Sequence, residues 1–280
     1  MGNSFWETQF VLDPPPAPVR RHGDVDLHLP GGDGRHAAVV VVHGVPGPPN
    51  APDARDWPLY RGYGALLAER GVVAAIPRLS VASPDDLTTV AARVAGTADL
   101  LRADPRVDPD RLALWFFSGA GLLLGDWLRD PPGWLRGLAA TYPLLAPLAD
   151  WPPIDPRFHP LAALDATGHR GTVPGSPDPV GDRAAATAAP TAPTGTGPAD
   201  IPAGAVRAVP LVLTRVGRDR PEVASGIDAF LVAAARRATP VQVFDVPSGQ
   251  HGFDALDHTE ESRAAVRAAR DALLDLLTAR

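Results

Sequence analysis

Two hydrophobic periods take turns along this chain. Ala37 to Val42 reads AAVVVV, a continuous apolar run of the kind that forms a parallel strand covered on both faces. A helical spacing follows over about 60–70, with Leu59, Tyr63, Leu66 and Leu67 on one face and Gly71 placed to stop it. Val72 to Ile76 is a second short apolar strand, closed by Pro77. Ser83 suits a helix N-cap, Pro84 its first position, and Asp85 and Asp86 the positive end of its dipole; this helix is expected to run to about Ala103. Beyond a loop at 104–110, the pattern predicts a central strand at 112–117 (LALWFF) and a helix at 119–128. Strands at 138–142 and 209–216, a helix at 221–237, a last strand at 241–246 and a closing helix from about 260 to 278 complete it.

Strands that alternate with helices predict a mostly parallel central sheet with helices on both faces. The N-terminal 35 residues differ: 9–12 and 25–29 read as short antiparallel strands added at a sheet edge. One stretch breaks the alternation. From Ala184 to Ala205, 20 of 22 residues are Ala, Pro, Thr or Gly, a composition that cannot bury enough apolar surface to offset the entropy of ordering it. Residues 165–206 are therefore expected to be a surface insertion within a single domain spanning 1–280. They lack the Leu, Phe and Trp that an active-site lid needs.

Composition narrows the function classes. The chain is 45% apolar, ample for a large core, and its net charge of −6 is spread without blocks of like sign. Nothing in it points to nucleic acid or to an anionic membrane. No cysteine is present, which removes disulfides, thiolate metal sites and cysteine nucleophiles. The N-terminal residues carry no basic n-region, and no apolar run reaches the roughly 20 residues of a membrane helix, so a cytoplasmic location is expected. The histidines show no metal-ligand spacing, and no cofactor is implied. A homodimer is compatible with the sequence, but no segment identifies an interface.

The informative constellation is Phe116-Phe117-Ser118-Gly119-Ala120-Gly121, which follows one predicted strand and opens a predicted helix. A nucleophile on a sharp strand-to-helix turn needs small neighbours, because its backbone is strained and the flanking segments pack closely. Gly119 and Ala120 satisfy this; Phe116 stands where the G-x-S-x-G pattern has glycine. Asp219 follows the strand predicted at 209–216, and His251 lies in a Gly-flanked loop after the last strand. Each has a bland alternative, a helix N-cap for Asp219 and a surface loop for His251. Three such residues at three strand ends, in the order Ser, Asp, His, favour a nucleophile, an orienting acid and a general base. Glu222 is a second candidate for the acid. The N–H groups of Gly119 and Val45 are expected to form the oxyanion hole, since Pro46 has no N–H to offer. Trp57, Tyr60, Phe117, Trp151 and Phe158 are candidate pocket walls, with ordinary core packing as the competing reading.

These residues resemble a known group, the dienelactone-hydrolase-like α/β-hydrolases, in the bacterial branch that uses serine as nucleophile. The resemblance rests on His43-Gly44-Val45-Pro46-Gly47, the run from Arg55 to Tyr63, the turn from Trp115 to Gly121, Gly217-Arg218-Asp219-Arg220-Pro221-Glu222 and Gly249-Gln250-His251-Gly252-Phe253-Asp254. It implies the α/β-hydrolase fold and hydrolysis of a small-molecule ester or lactone through an acyl-enzyme. Two other readings stay open: a tailoring enzyme using the same triad for acyl transfer, cyclisation or dehydration, and a hydrolase-like scaffold that binds a ligand without turnover.

Overall fold

A computed structural model describes residues 4–48, 50–148, 151–167 and 208–279. Nearly all of the expected insertion at 165–206 lies outside the described residues.

Eight strands of the described residues form one sheet: β1 (Val19–His22), β2 (Val25–His28), β3 (His36–Val42), β4 (Val73–Pro77), β5 (Val107–Phe117), β6 (Leu135–Thr141), β7 (Leu211–Arg218) and β8 (Val241–Gln250). Their spatial order is β1-β2-β4-β3-β5-β6-β7-β8. The pairings β1–β2 and β2–β4 are antiparallel and the rest parallel, so the expected N-terminal antiparallel edge is present, built from 19–22 with 25–28 rather than from 9–12 with 25–29. Among the described residues, seven α-helices accompany the sheet: α1 (Pro58–Ala68), α2 (Leu87–Ala103), α3 (Leu124–Arg129), α4 (Pro160–Thr167), α5 (Pro221–Arg236), α6 (Phe253–Leu256) and α7 (Glu260–Thr278).

The continuous apolar strands are explained by a core on each side. Successive side chains of a strand point to opposite faces. Thus Val40, Val42, Leu114 and Phe116 pack with Val94, Leu101, Ile227 and Phe230 of α2 and α5. Val39, Val41, Trp115 and Phe117 pack with Tyr63, Leu67, Val266 and Leu273 of α1 and α7 on the other face. Parallel strands bring their C-terminal ends to one edge of the sheet, which is where ligand sites form in such sheets. The ends of β3, β5, β7 and β8 deliver His43, Ser118, Asp219 and His251 to that edge.

Three expectations are corrected. Residues 9–12 form no strand: Phe10 lies against Gly62 of α1, and the Val11 N–H donates to the Asp254 carbonyl at 2.9 Å, so their apolar pattern serves docking rather than pairing. The loop expected at 104–110 ends early, because β5 begins at Val107, paired with His36 before a register shift. Helix α4, beside the low-complexity stretch, was not anticipated; Ala163 and Leu164 bury against the core.

One buried group works against stability. His28 in β2 is 2% exposed, neither ring nitrogen has a hydrogen-bond partner among the described residues, and the ring lies on Gly64 of α1, close enough that a Cβ there would meet it at 2.5 Å. Burial pushes its pKa down to about 4. Between pH 6.5 and about 4 the unfolded chain therefore binds a proton that the folded chain refuses, and stability falls as pH drops through that window. His28→Leu should raise stability more at pH 5 than at pH 7.5, by about 1–2 kcal/mol, measured by urea denaturation at the two pH values.

Candidate functional site

Ser118 ends the central strand β5 and begins a 3₁₀ turn, Ser118–Leu123, that leads into α3. Its φ is +51°, the left-handed region that a non-glycine residue occupies only at a cost of roughly 1–3 kcal/mol. The strain lifts the hydroxyl out of the sheet edge, and the turn is pinned because the Leu144 N–H donates to the Ser118 carbonyl at 2.9 Å. Close packing explains the glycines. A Cβ on Gly119 would stand 1.8 Å from the Val45 carbonyl oxygen, and one on Gly121 would stand 2.7 Å from that of Leu144. Phe116, in the place of the expected glycine, points into the core on the α2 side and is fully buried, so it leaves the turn intact.

His251 follows β8. Its Nε2 lies 2.7 Å from Ser118 Oγ, and its Nδ1 lies 3.1 and 3.0 Å from the two carboxylate oxygens of Asp219. The Asp219 side chain is 1% exposed and also accepts from the Arg220 N–H at 2.8 Å. With Nδ1–H donating to Asp219, Nε2 is left as an acceptor facing the serine hydroxyl. Glu222, the second candidate acid, is exposed on the first turn of α5 and makes no bond to His251 among the described residues.

The loop after β3 closes over the serine. His43 is 4% exposed, and burial pushes its pKa down to about 4, so it is neutral. Its Nε2 accepts from the Leu79 N–H at 3.2 Å, which leaves Nδ1–H to donate to the Gly44 carbonyl at 3.0 Å. The Gly44 N–H donates to the Tyr60 hydroxyl at 2.9 Å. These bonds fix Val45 against Gly119. The N–H groups of Val45 and Gly119 have no partner among the described residues.

The expected pocket walls separate. Trp57 and Tyr60 line a cleft with Ser118 and His251. Trp151 lines a neighbouring cleft with Val45 and Gly119. Phe117 and Phe158 line neither; at 0% and 2% exposure they are core residues, Phe117 behind Tyr60 and Phe158 on the other face of the sheet. Sequence reasoning missed Tyr142 and the role of Asp254. Tyr142, at φ +37°, sets its ring 4.6 Å from the His251 imidazole. Its hydroxyl donates to Asp254 Oδ1 at 2.7 Å, while Tyr63 donates to Oδ2 at 2.8 Å. Asp254 is fully buried; burial raises its pKa to about 6 against the opposing effect of the two hydroxyls. Its place three residues after His251 was the one available signal.

Comparison with solved structures settles the architecture. Esterase 2 of Thermogutta terrifontis, phosphoramylated by tabun, superposes over 97% of this chain and 100% of its own, with a TM-score of 0.63 and 14% identity. MGS-M1, an α/β-hydrolase enzyme from a Medee basin deep-sea metagenome library, covers 94% of this chain and 99% of its own, with a TM-score of 0.58 and 12% identity. This is the α/β-hydrolase fold. DphMB1 matches 93% of the chain and 85% of its own length at a TM-score of 0.58 and 18% identity. A scan of protein-family models and a search of curated proteins match nothing. In α/β-hydrolase terms, the serine turn, the acid and the histidine stand at the strand ends where this fold builds its sites.

The buried carboxyl makes a testable claim. Tyr142→Phe and Tyr63→Phe each remove one donor to Asp254 and so raise its pKa further. Each should cost about 1–3 kcal/mol at pH 8, where the carboxyl must be charged, and less at pH 5, where it is mostly protonated. Denaturant titrations at both pH values measure this.

Proposed function

We propose that this protein is a serine hydrolase that cleaves a carboxylic ester or lactone through an acyl-enzyme. The observation that carries the reading is the continuous bond chain from Ser118 Oγ through His251 to the buried Asp219 carboxylate, built on a strained serine at the end of the central strand. Ser118 Oγ attacks the carbonyl carbon as His251 Nε2 takes its proton. Asp219 holds the imidazole in its acceptor tautomer and stabilises the imidazolium. The unpartnered N–H groups of Val45 and Gly119 receive the developing oxyanion. His251 then protonates the departing alcohol, and water activated by the same imidazole releases the acid. No step needs a cofactor.

The structural neighbours include an esterase and an α/β-hydrolase enzyme, which agrees with this chemistry. The sequence motifs narrow it toward the dienelactone-hydrolase-like enzymes with a serine nucleophile. Phe116, which stands where the G-x-S-x-G pattern has glycine, buries its side chain in the core on the α2 side, so the missing glycine does not argue for a scaffold without turnover.

Steady-state hydrolysis of p-nitrophenyl butyrate tests the reading. Ser118→Ala and His251→Ala should each lower kcat by at least about a thousandfold, and Asp219→Asn by about a hundredfold or more. Retention of activity in either of the first two variants, or its absence from the folded wild type, would remove the proposal.

A further inference from the structure

Two apolar clefts meet at Pro46; Ser118 lines the first and Val45 and Gly119 line the second. The first, about 240 Å³, contains Ser118 and His251 and is walled by Phe5, Trp57, Tyr60, Tyr142 and Leu256. Four of these five are aromatic, and Phe5 meets Trp57 edge to face with ring centroids 5.9 Å apart. The second, about 190 Å³, contains Gly119 and Val45 but neither Ser118 nor His251; Val81, Pro84, Leu87 and Trp151 close it. Apart from His251, no charged or ionisable-cation side chain among the described residues lines either cleft. The ion pair of Arg78 and Asp53, 3.5 Å apart, lines an adjoining polar cleft that shares Gly44, Gly47, Pro48 and Trp57 with the first cleft and Val81 with the second.

Reaction chemistry assigns the two clefts. In acylation a bond forms from Ser118 Oγ to the carbonyl carbon, the bond from that carbon to the alcohol oxygen breaks, and the proton held by His251 goes to the departing oxygen. The alcohol must therefore sit against His251, in the aromatic cleft. The carbonyl oxygen takes the direction of the Val45 and Gly119 N–H groups, and the acyl carbon takes the remaining direction, into the smaller cleft beside Gly119. Aromatic walls favour an aromatic guest through offset and edge-to-face contacts. A carboxylate or ammonium seated among the aromatic rings, or beside Val81, Leu87 and Trp151, would give up hydration and meet no opposite charge among the described lining residues, at a cost in binding.

We infer that the substrate is an uncharged ester joining an aromatic alcohol to a compact aliphatic acid; this rests on the serine-hydrolase reading above. The aromatic wall is not left to chance. Phe10 packs on Gly62 of α1, and the Val11 N–H bonds the Asp254 carbonyl. Together they fasten the segment that carries Phe5 beside Gly252. Phe5 is thus a specificity-determining residue for the alcohol, and Trp151 for the acid.

The test compares kcat/KM of the full-length protein on benzyl butyrate, ethyl butyrate, benzyl decanoate and benzyl hydrogen succinate. Benzyl and ethyl alcohols differ little in acidity, so their ratio reports recognition rather than leaving-group chemistry. Benzyl butyrate should exceed ethyl butyrate and benzyl decanoate by about tenfold, and the charged succinate by more. Phe5→Ala, with Phe5→Leu as the volume-keeping variant, should narrow the benzyl-to-ethyl ratio. Trp151→Ala should move the acyl optimum toward the decanoate. Equal turnover of the benzyl and ethyl esters, a preference for the succinate, or variant effects exchanged between the two residues would overturn the inference while leaving the hydrolase reading standing. Hydrolysis of none of the four esters by a protein that cleaves p-nitrophenyl butyrate would overturn the inference alone, and failure on that ester as well would overturn both.

Discussion

The site depends on one close approach, that of the loop after β3 to the turn after β5. Ser118 holds a positive φ, and Gly119 has no side chain because the Val45 carbonyl occupies the space where a Cβ would be. Neither feature is favourable alone. A left-handed serine costs free energy, and a chain turning sharply at a sheet edge must find partners for its backbone groups. Adjacent strands resolve both problems. β3 and β5 are neighbours in the parallel sheet, so the loops at their ends are brought together and one closes the other. What results is a hydroxyl within hydrogen-bond reach of His251 and, on the two apposed loops, Val45 and Gly119 N–H groups that have no partner among the described residues.

Around this contact the protein uses neutral or shared protons rather than exposed charges. His43 is kept neutral by burial and serves as a two-ended brace between Leu79 and Gly44. Behind His251, Asp254 is shared by two tyrosine hydroxyls, one from α1 and one from the turn after β6. Tyr142 then presents its ring to the imidazole. The histidine is thereby held from three sides: by Asp219, by the serine and by an aromatic face whose own position is fixed by a buried carboxyl. A buried network of this kind rigidifies only when every member is satisfied. His28, buried with no hydrogen-bond partner among the described residues, shows the opposite case, tolerated at the antiparallel edge far along the chain from the serine turn.

Much of this was legible in the sequence because it obeys short-range rules. Runs such as AAVVVV and LALWFF can only be strands buried on both faces, and the residues at their ends follow directly. Ser118, Asp219 and His251 were found as strand-end residues, not as a spatial cluster. The illegible parts depend on tertiary contacts. Residues 9–12 carry a strand-like pattern, yet Phe10 fills the space over a glycine of α1. Phe117 and Phe158 look like pocket aromatics by composition, but the pleat of β5 turns Phe117 inward and Phe158 sits beneath Arg157, in the core. The Tyr63–Asp254–Tyr142 cluster joins three distant segments, and no local period announces it. Phe116 misled in the other direction: a pattern glycine was missing, but the strand's alternation gave the bulky ring a core to enter.

The central claim is that His251 and Asp219 make Ser118 a nucleophile. Labelling the folded protein with a fluorophosphonate and mapping the adduct by peptide mass spectrometry tests it most directly. The account predicts a single adduct on Ser118 that disappears in His251→Ala while the variant remains folded. An unlabelled wild type, or an adduct on any other residue, would contradict it.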